Sequence, residues 1–102
     1  MKSSKDFVEG LKKQGYSVKY NVSLKGTSGV KHHADVVAEH SNGKKVVGLK
    51  ARGKETAAEI IGTFVVALDT KAEAFFVIEK ALDKESRKLA ESYAITVLTG
   101  AR

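Results

Sequence analysis

The stretch KGTSGVKHHADVVAEHSNGKKVVGLK, Lys25–Lys50, decides how the rest of the chain is read. Two β-rich runs, His33 to Glu39 and Lys45 to Ala51, flank the turn sequence Ser41-Asn42-Gly43-Lys44. Asn-Gly between such runs signals a hairpin, because both residues tolerate the positive φ that the turn demands. A hairpin here sets Asp35, early on one strand, beside Lys50, late on its partner. Alternation puts Asp35 and Val37 on one face of the first strand and Ala34, Val36 and Ala38 on the other. On the second strand Val46, Gly48 and Lys50 share a face, and Val47 and Leu49 share the opposite one. An acid and an amine held side by side in a basic chain point to metal-dependent phosphodiester chemistry or its remnant.

Upstream, Ser3 to Gln14 reads as a helix with Phe7, Val8 and Leu11 as its apolar stripe. Ser3 with Asp6 has capping-box spacing, and Gly15 suits a left-handed stop. Tyr16 to Lys25 then alternates, with Val18, Tyr20, Val22 and Leu24 on one face of a half-buried strand. Downstream, Gly53 breaks the pattern, and Thr56 with Glu59 repeats the capping-box spacing. A strongly apolar helix, 57–68, follows, with Ile60, Ile61, Phe64, Val65 and Leu68 as a wide stripe. Such a face is buried or meets a second copy of the chain, so a homodimer through this helix is expected. Glu73 to Lys80 contains AFFVI, a strand covered on both faces. Asp83 caps a helix running to Tyr93, and AITVL, Ala94 to Leu98, is a last short strand. The order is α-β-β-β-α-β-α-β, which predicts an α/β fold: a mixed central sheet flanked by helices.

The 102 residues suit one domain, 1–102, with 42% hydrophobic and 29% charged residues, the balance of a globular chain. There is no cysteine, so disulfides and Cys-based zinc sites are excluded and a cytoplasmic location is expected. No apolar run approaches the roughly 20 residues that cross a bilayer. The opening MKSSKDF turns polar and acidic at once, unlike a secretory signal. A net charge of +6 favours nucleic acid or an anionic surface as partner, though it equally suits a solvated surface.

Asp35 stands in an otherwise apolar strand, where a buried carboxylate needs a metal or a pairing such as a salt bridge to Lys50, unless it is a strand-end aspartate at the sheet surface. Lys50 could orient a water or stabilise charge on a phosphate, or it could be a surface lysine with its stem on the sheet. Adjacent His32 and His33 point to opposite strand faces, poor geometry for one metal. Gly26-Thr27-Ser28-Gly29 offers N–H groups to a phosphate but reads first as a connecting loop. Glu59 reads first as a capping-box partner.

With these residues in place, the chain resembles the PD-(D/E)xK nuclease superfamily, most closely Mrr-type restriction endonucleases and archaeal Holliday-junction resolvases. FVEGLKKQGYSV is similar to their first helix and strand, GTSGVKHHADVVAE to their glycine-rich loop and aspartate strand, VVGLKAR to their Glu-x-Lys strand, and KLAESYAITVLTG to the Mrr-type ending. The resemblance implies a restriction-endonuclease-like fold and a Mg²⁺- or Mn²⁺-dependent DNA endonuclease. It implies metal ligation by Glu9 and Asp35, with a carboxylate borrowed from Glu55 or Glu59, and catalysis by Asp35 and Lys50. Lys25, Ser28, Lys31, His33, Lys44, Lys45 and Arg52 would contact DNA. The chain departs from the pattern at Gly48, which occupies the acidic position of the third motif and offers no ligand. The alternative is therefore a nuclease-fold domain without catalysis that binds DNA or a protein partner.

Overall fold

A computed structural model describes residues 2–100. Its elements are α1 (Ser4–Lys13), β1 (Ser17–Lys25), β2 (Lys31–Glu39), β3 (Lys45–Lys50), α2 (Thr56–Thr70), β4 (Glu73–Ile78), α3 (Lys84–Ser92) and β5 (Thr96–Thr99). The five strands form one sheet in the order β1-β2-β3-β4-β5. β1, β2 and β3 pair antiparallel, and β3, β4 and β5 pair parallel. The expected α/β fold with a mixed sheet and this element order is what the chain forms.

Two apolar clusters lie on the two faces of the sheet. One joins Val8 and Leu11 of α1 to Val36, Ala38, Val46, Phe75, Val77 and Leu98. The other joins Ile60, Val66 and Ala67 of α2 and Ala90 of α3 to Val37, Val47, Phe76 and Ile78. The AFFVI strand thus buries both faces: Phe75 and Val77 toward α1, Ala74, Phe76 and Ile78 toward α2 and α3. Full burial of a side chain such as Phe75 stabilises the fold by roughly 1.5–3 kcal/mol, so this central strand anchors both layers.

Local signals mostly hold. Ser3 caps α1, its Oγ accepting from the Asp6 N–H at 3.1 Å, and Gly15 takes φ 95° just beyond the helix. Asp83 caps α3 through the Ser86 N–H at 2.7 Å. The Asn-Gly turn is built differently from the expected two-residue form. Gly43 alone takes positive φ (94°), the His40 carbonyl accepts from the Gly43 N–H at 2.9 Å, and the His40 N–H donates to the Lys44 carbonyl at 2.9 Å. This is a turn closed by a left-handed glycine, the form usual for three-residue hairpin loops. Asn42 instead spends its side chain on the Lys44 N–H at 2.9 Å. The second capping box does not form: Glu55 is the α2 N-cap without a side-chain bond, and Thr56 is already helical. Ala94 takes φ 55° in the turn after α3, so the last strand starts at Thr96 rather than at Ala94.

The largest departure lies in β1 and β2. Strict alternation would put Val18, Tyr20, Val22 and Leu24 on one face. Val18 instead packs on the α1 side, whereas Val22 and Leu24 pack on the α2–α3 side. Ala34 and Val36 are divided between the two sides in the same way. Both switches fall at one level, since Tyr20 pairs with Val36 and Val22 with Ala34 on either side of Asn21 and Asp35. Asn21 is left-handed there, with φ 54°. Asparagine tolerates that conformation better than most residues, and one such residue turns the strand over.

α2 uses more of its stripe inside the chain than the homodimer expectation assumes. Ile60 is fully buried, and Phe64 stacks on Tyr93, the residue that caps the end of α3, at 4.2 Å between ring centroids. Ile61, Val65 and Leu68 remain exposed on one side of the helix. No described helix is long and apolar enough to cross a membrane.

Candidate functional site

Asp35 sits where the strands turn over, its side chain 7% exposed. One carboxylate oxygen accepts from the Lys50 backbone N–H at 2.8 Å. The other accepts from Arg52 Nη2 at 2.8 Å and lies 3.5 Å from His33 Nε2. Burial disfavours the charged carboxylate, but the Lys50 N–H, the Arg52 guanidinium and nearby His33 outweigh it and hold its pKa below the usual carboxylate range. The sequence therefore places Asp35 beside position 50 correctly, yet the contact is to backbone. The cation that pairs with Asp35 is Arg52; the Lys50 ammonium has no ion-pair partner among the described residues.

The Lys50 side chain runs along a hollow of about 180 Å³ between α1 and the sheet. Val8, Val36, Phe75 and Val77 form its apolar base, and Ser4, Lys5, Glu9, Tyr20 and Lys50 complete it. Glu9 and Lys50, two residues expected at one site, thus meet the same hollow. Glu9 makes an exposed pair with Lys12 at 3.4 Å. Gly48 faces the same side, and a Cβ there would overlap the Phe75 ring. At position 48, where the resemblance would place a carboxylate, an aromatic ring fills the space that a side chain would need.

Glu59 does not take the place of that carboxylate. Its oxygens accept from the Arg52 N–H at 2.6 Å and the Lys54 N–H at 3.1 Å, tying the turn after β3 to the first turn of α2. Among the described residues no three His, Asp or Glu side chains are grouped closely enough to hold a metal ion. A Mg²⁺ site needs several hard oxygen donors at short range. Asp35 has both oxygens engaged, Glu59 serves backbone N–H groups and Glu9 lies on the outer helix, so this donor set as arranged does not fit the metal.

The basic residues expected to contact DNA fall at two ends of the sheet. Lys25 and Lys31 pair at one end of the β1–β2 ladder, and Lys50, Arg52 and Lys54 follow the end of β3 on the same side. Lys5 joins them, because Ser3 bridges to Thr99 at the end of β5. His33 lies there too. Lys44 and Lys45 lie beyond the other end of β2, around a separate hollow with Leu68 and Lys71 at the end of α2.

The residue that sequence reasoning missed is Asp69, near the end of α2. Its carboxylate accepts from Thr27 Oγ1 at 3.0 Å, Ser28 N at 2.9 Å and Ser28 Oγ at 2.7 Å, and contacts His32 Nε2 at 2.6 Å. The Thr27 N–H also donates to the Asp69 carbonyl at 2.8 Å. A Cβ on Gly26 would overlap this carboxylate, so that glycine allows the approach. The Ser28 hydroxyl, then His32, the Ser28 N–H and Thr27 hold the Asp69 pKa far below the usual range. The Gly-Thr-Ser-Gly loop is thus the connecting loop first read from sequence. Its anion-binding groups, Ser28 included, are filled by the chain's own carboxylate. The one sequence signal was an acid ending an apolar helix; nothing local links it to a loop about forty residues earlier.

No protein-family profile matches the chain, and no curated protein matches it in sequence. Solved structures do. The chain is similar to a protein of unknown function, AF1548 (TM-score 0.68, 22% identity, 91% of this chain and 54% of that one). It is also similar to Can2 from Sulfobacillus thermosulfidooxidans in complex with cyclic tetra-adenylate (TM-score 0.70, 20% identity, 90% of this chain and 29% of that one). A third is a repair endonuclease from Pyrococcus abyssi (TM-score 0.64, 15% identity, 97% and 47%). A fourth is EndoMS in complex with double-stranded DNA (TM-score 0.56, 15% identity, 95% and 44%). The chain spans about half or less of the length of each. At these identities the likeness is one of fold alone.

Proposed function

We propose that this chain is a nuclease-fold domain that binds DNA through the basic end of its sheet and does not assemble a two-carboxylate metal site. The observation that carries the reading is the Phe75 ring over Gly48, which leaves no room for the acidic side chain of the third motif. The positive charge supports a phosphate-bearing partner: Lys25, Lys31, His33, Lys50, Arg52 and Lys54 surround one end of the sheet, where Asp35 and Glu59 are already engaged. The likeness to EndoMS bound to double-stranded DNA supports DNA as the class. Lys44 and Lys45 belong to a different surface and are secondary to it.

The competing reading is a Mg²⁺- or Mn²⁺-dependent endodeoxyribonuclease. It has one observation in its favour, that Glu9 and Lys50 line the same hollow. It requires a further carboxylate at that place.

Binding of duplex and branched DNA measured across a salt series, together with nicking of supercoiled DNA in Mg²⁺ or Mn²⁺, separates the two. The expected result is salt-dependent binding without nicking. Lys31→Ala should flatten the log–log salt slope by about one unit, as loss of one phosphate contact does. Metal-dependent nicking that vanishes in Asp35→Ala and Lys50→Ala would overturn the reading in favour of the nuclease, and no binding at moderate salt would remove both. A second copy that docks on α2 does so through Ile61, Val65 and Leu68. Leu68→Asp therefore tests the homodimer by light scattering.

A further inference from the structure

The hollow beside Gly48 has a chemistry of its own. Closing the space over Gly48 with Phe75 replaces a would-be carboxylate site by an aromatic and aliphatic base. Tyr20, ahead of the Asn21 reversal and on the α1 side with Val18, lines the hollow too and is 56% exposed, a large aromatic residue left open to solvent. Two ammonium groups, Lys5 and Lys50, stand at the same hollow, and neither has an ion-pair partner among the described residues. Glu9, the one acid there, is already held by Lys12. At about 180 Å³ the hollow is smaller than the roughly 300–1,000 Å³ that encloses a drug-sized ligand. It has room for one ring system, not for a whole nucleotide.

We infer that this hollow takes the base of an unpaired or terminal nucleotide, stacked on Tyr20, with the adjoining phosphate on Lys5 and Lys50. The inference rests on the DNA-binding reading and specifies what part of the nucleic acid the site takes. An open aromatic face next to free cations is how proteins hold single strands: the ring stacks on any base, and the cations track the backbone. A base inside a blunt duplex cannot reach the hollow without leaving its stack. Charge complementarity therefore selects a phosphate, and shape selects an unstacked base.

The test compares a short oligothymidylate, a duplex with a single-stranded overhang and the same duplex made blunt, using fluorescence anisotropy at fixed salt. Tyr20→Ala and Tyr20→Phe are measured beside the wild type; Tyr20 is exposed, so both variants should fold. The single strand and the overhang should bind more tightly than the blunt duplex. Tyr20→Ala should lose on the order of tenfold in affinity for the first two and leave the third unchanged, and Tyr20→Phe should keep wild-type affinity. Equal binding of all three DNAs, or single-strand affinity unaffected by Tyr20→Ala, overturns the inference. In that case salt-dependent duplex binding that falls in Lys31→Ala still upholds the DNA-binding reading. Absence of binding to any of the three DNAs overturns both.

Discussion

Two aspartates organise this molecule, and they do so in opposite ways. Asp35 lies within a strand and gathers partners from the neighbouring strand and the turn after it: the Lys50 N–H, Arg52 and, more distantly, His33. Asp69 lies on a helix and gathers Thr27, Ser28 and His32 from a loop about forty residues earlier in sequence. The first closes a local corner with a guanidinium that is itself 55% exposed. The second fastens α2 to the β1–β2 loop, with the Asp69 and His32 side chains both 14% exposed. The better-connected acid is therefore a clasp for the fold, and the acid that looked catalytic has been drawn into a modest ion pair.

The widest gap between the two should appear on removing each carboxylate. Asp69→Ala strands Ser28 N–H, the Thr27 and Ser28 hydroxyls and His32 at once, and a lowering of Tm on the order of 10 °C is expected by calorimetry. The pH dependence carries the same sign. A carboxyl whose folded pKa lies below its unfolded value of about 3.9 contributes stability above that value and loses it as pH falls toward the folded one. Asp69 is shifted far in that direction and Asp35 less so. Wild-type Tm should therefore fall steeply below pH 4, and Asp69→Asn should flatten that fall more than Asp35→Asn. Equal flattening by the two would erase the distinction drawn between them.

Position 48 offers the next largest effect, and it tests why no side chain stands beside Phe75 there. Gly48→Ala drives a Cβ into the Phe75 ring, and overpacking of this kind typically costs about 1–3 kcal/mol. Phe75→Leu alone should also destabilise, by opening the base of the hollow. The pair together should be less harmful than the sum of the two, because the smaller side chain makes room for the new methyl. Additive losses in urea denaturation would mean that the ring does not hold the space, and the structural reason for the glycine would fall with it.

The fold was legible because its signals are local or periodic. Caps at Ser3 and Asp83, the doubly buried AFFVI strand and the glycine of the hairpin turn each act within a few residues. Alternation failed at Asn21 because a single left-handed residue inverts every face assignment after it, and asparagine in a strand carries no sign of which conformation it will take. The candidate site was legible only in part for a related reason. Position 50 was correctly placed beside Asp35, but a residue letter does not say whether its backbone or its ammonium makes the contact. Glu59 spelled a capping box and served a different turn, since two N–H groups at Arg52 and Lys54 lay within reach. Asp69 was invisible because its partners are set by how α2 lies across the sheet, which no window of sequence contains.

The smallest expected effect is the one that decides what Asp35 does now. If its place is structural, Arg52→Ala should cost little more than an exposed ion pair is worth, about 1 kcal/mol or less, because that guanidinium keeps much of its hydration. Asp35→Asn should cost somewhat more, since the amide must still accept from the Lys50 N–H while its own NH₂ faces Arg52. In the double variant that conflict disappears, and the coupling between the two positions should come out favourable and under about 1 kcal/mol in urea denaturation. A coupling near zero would mean the pair is not formed in solution. A variant more stable than the wild type would mean that Asp35 is held against the interests of the fold, as residues kept for chemistry often are.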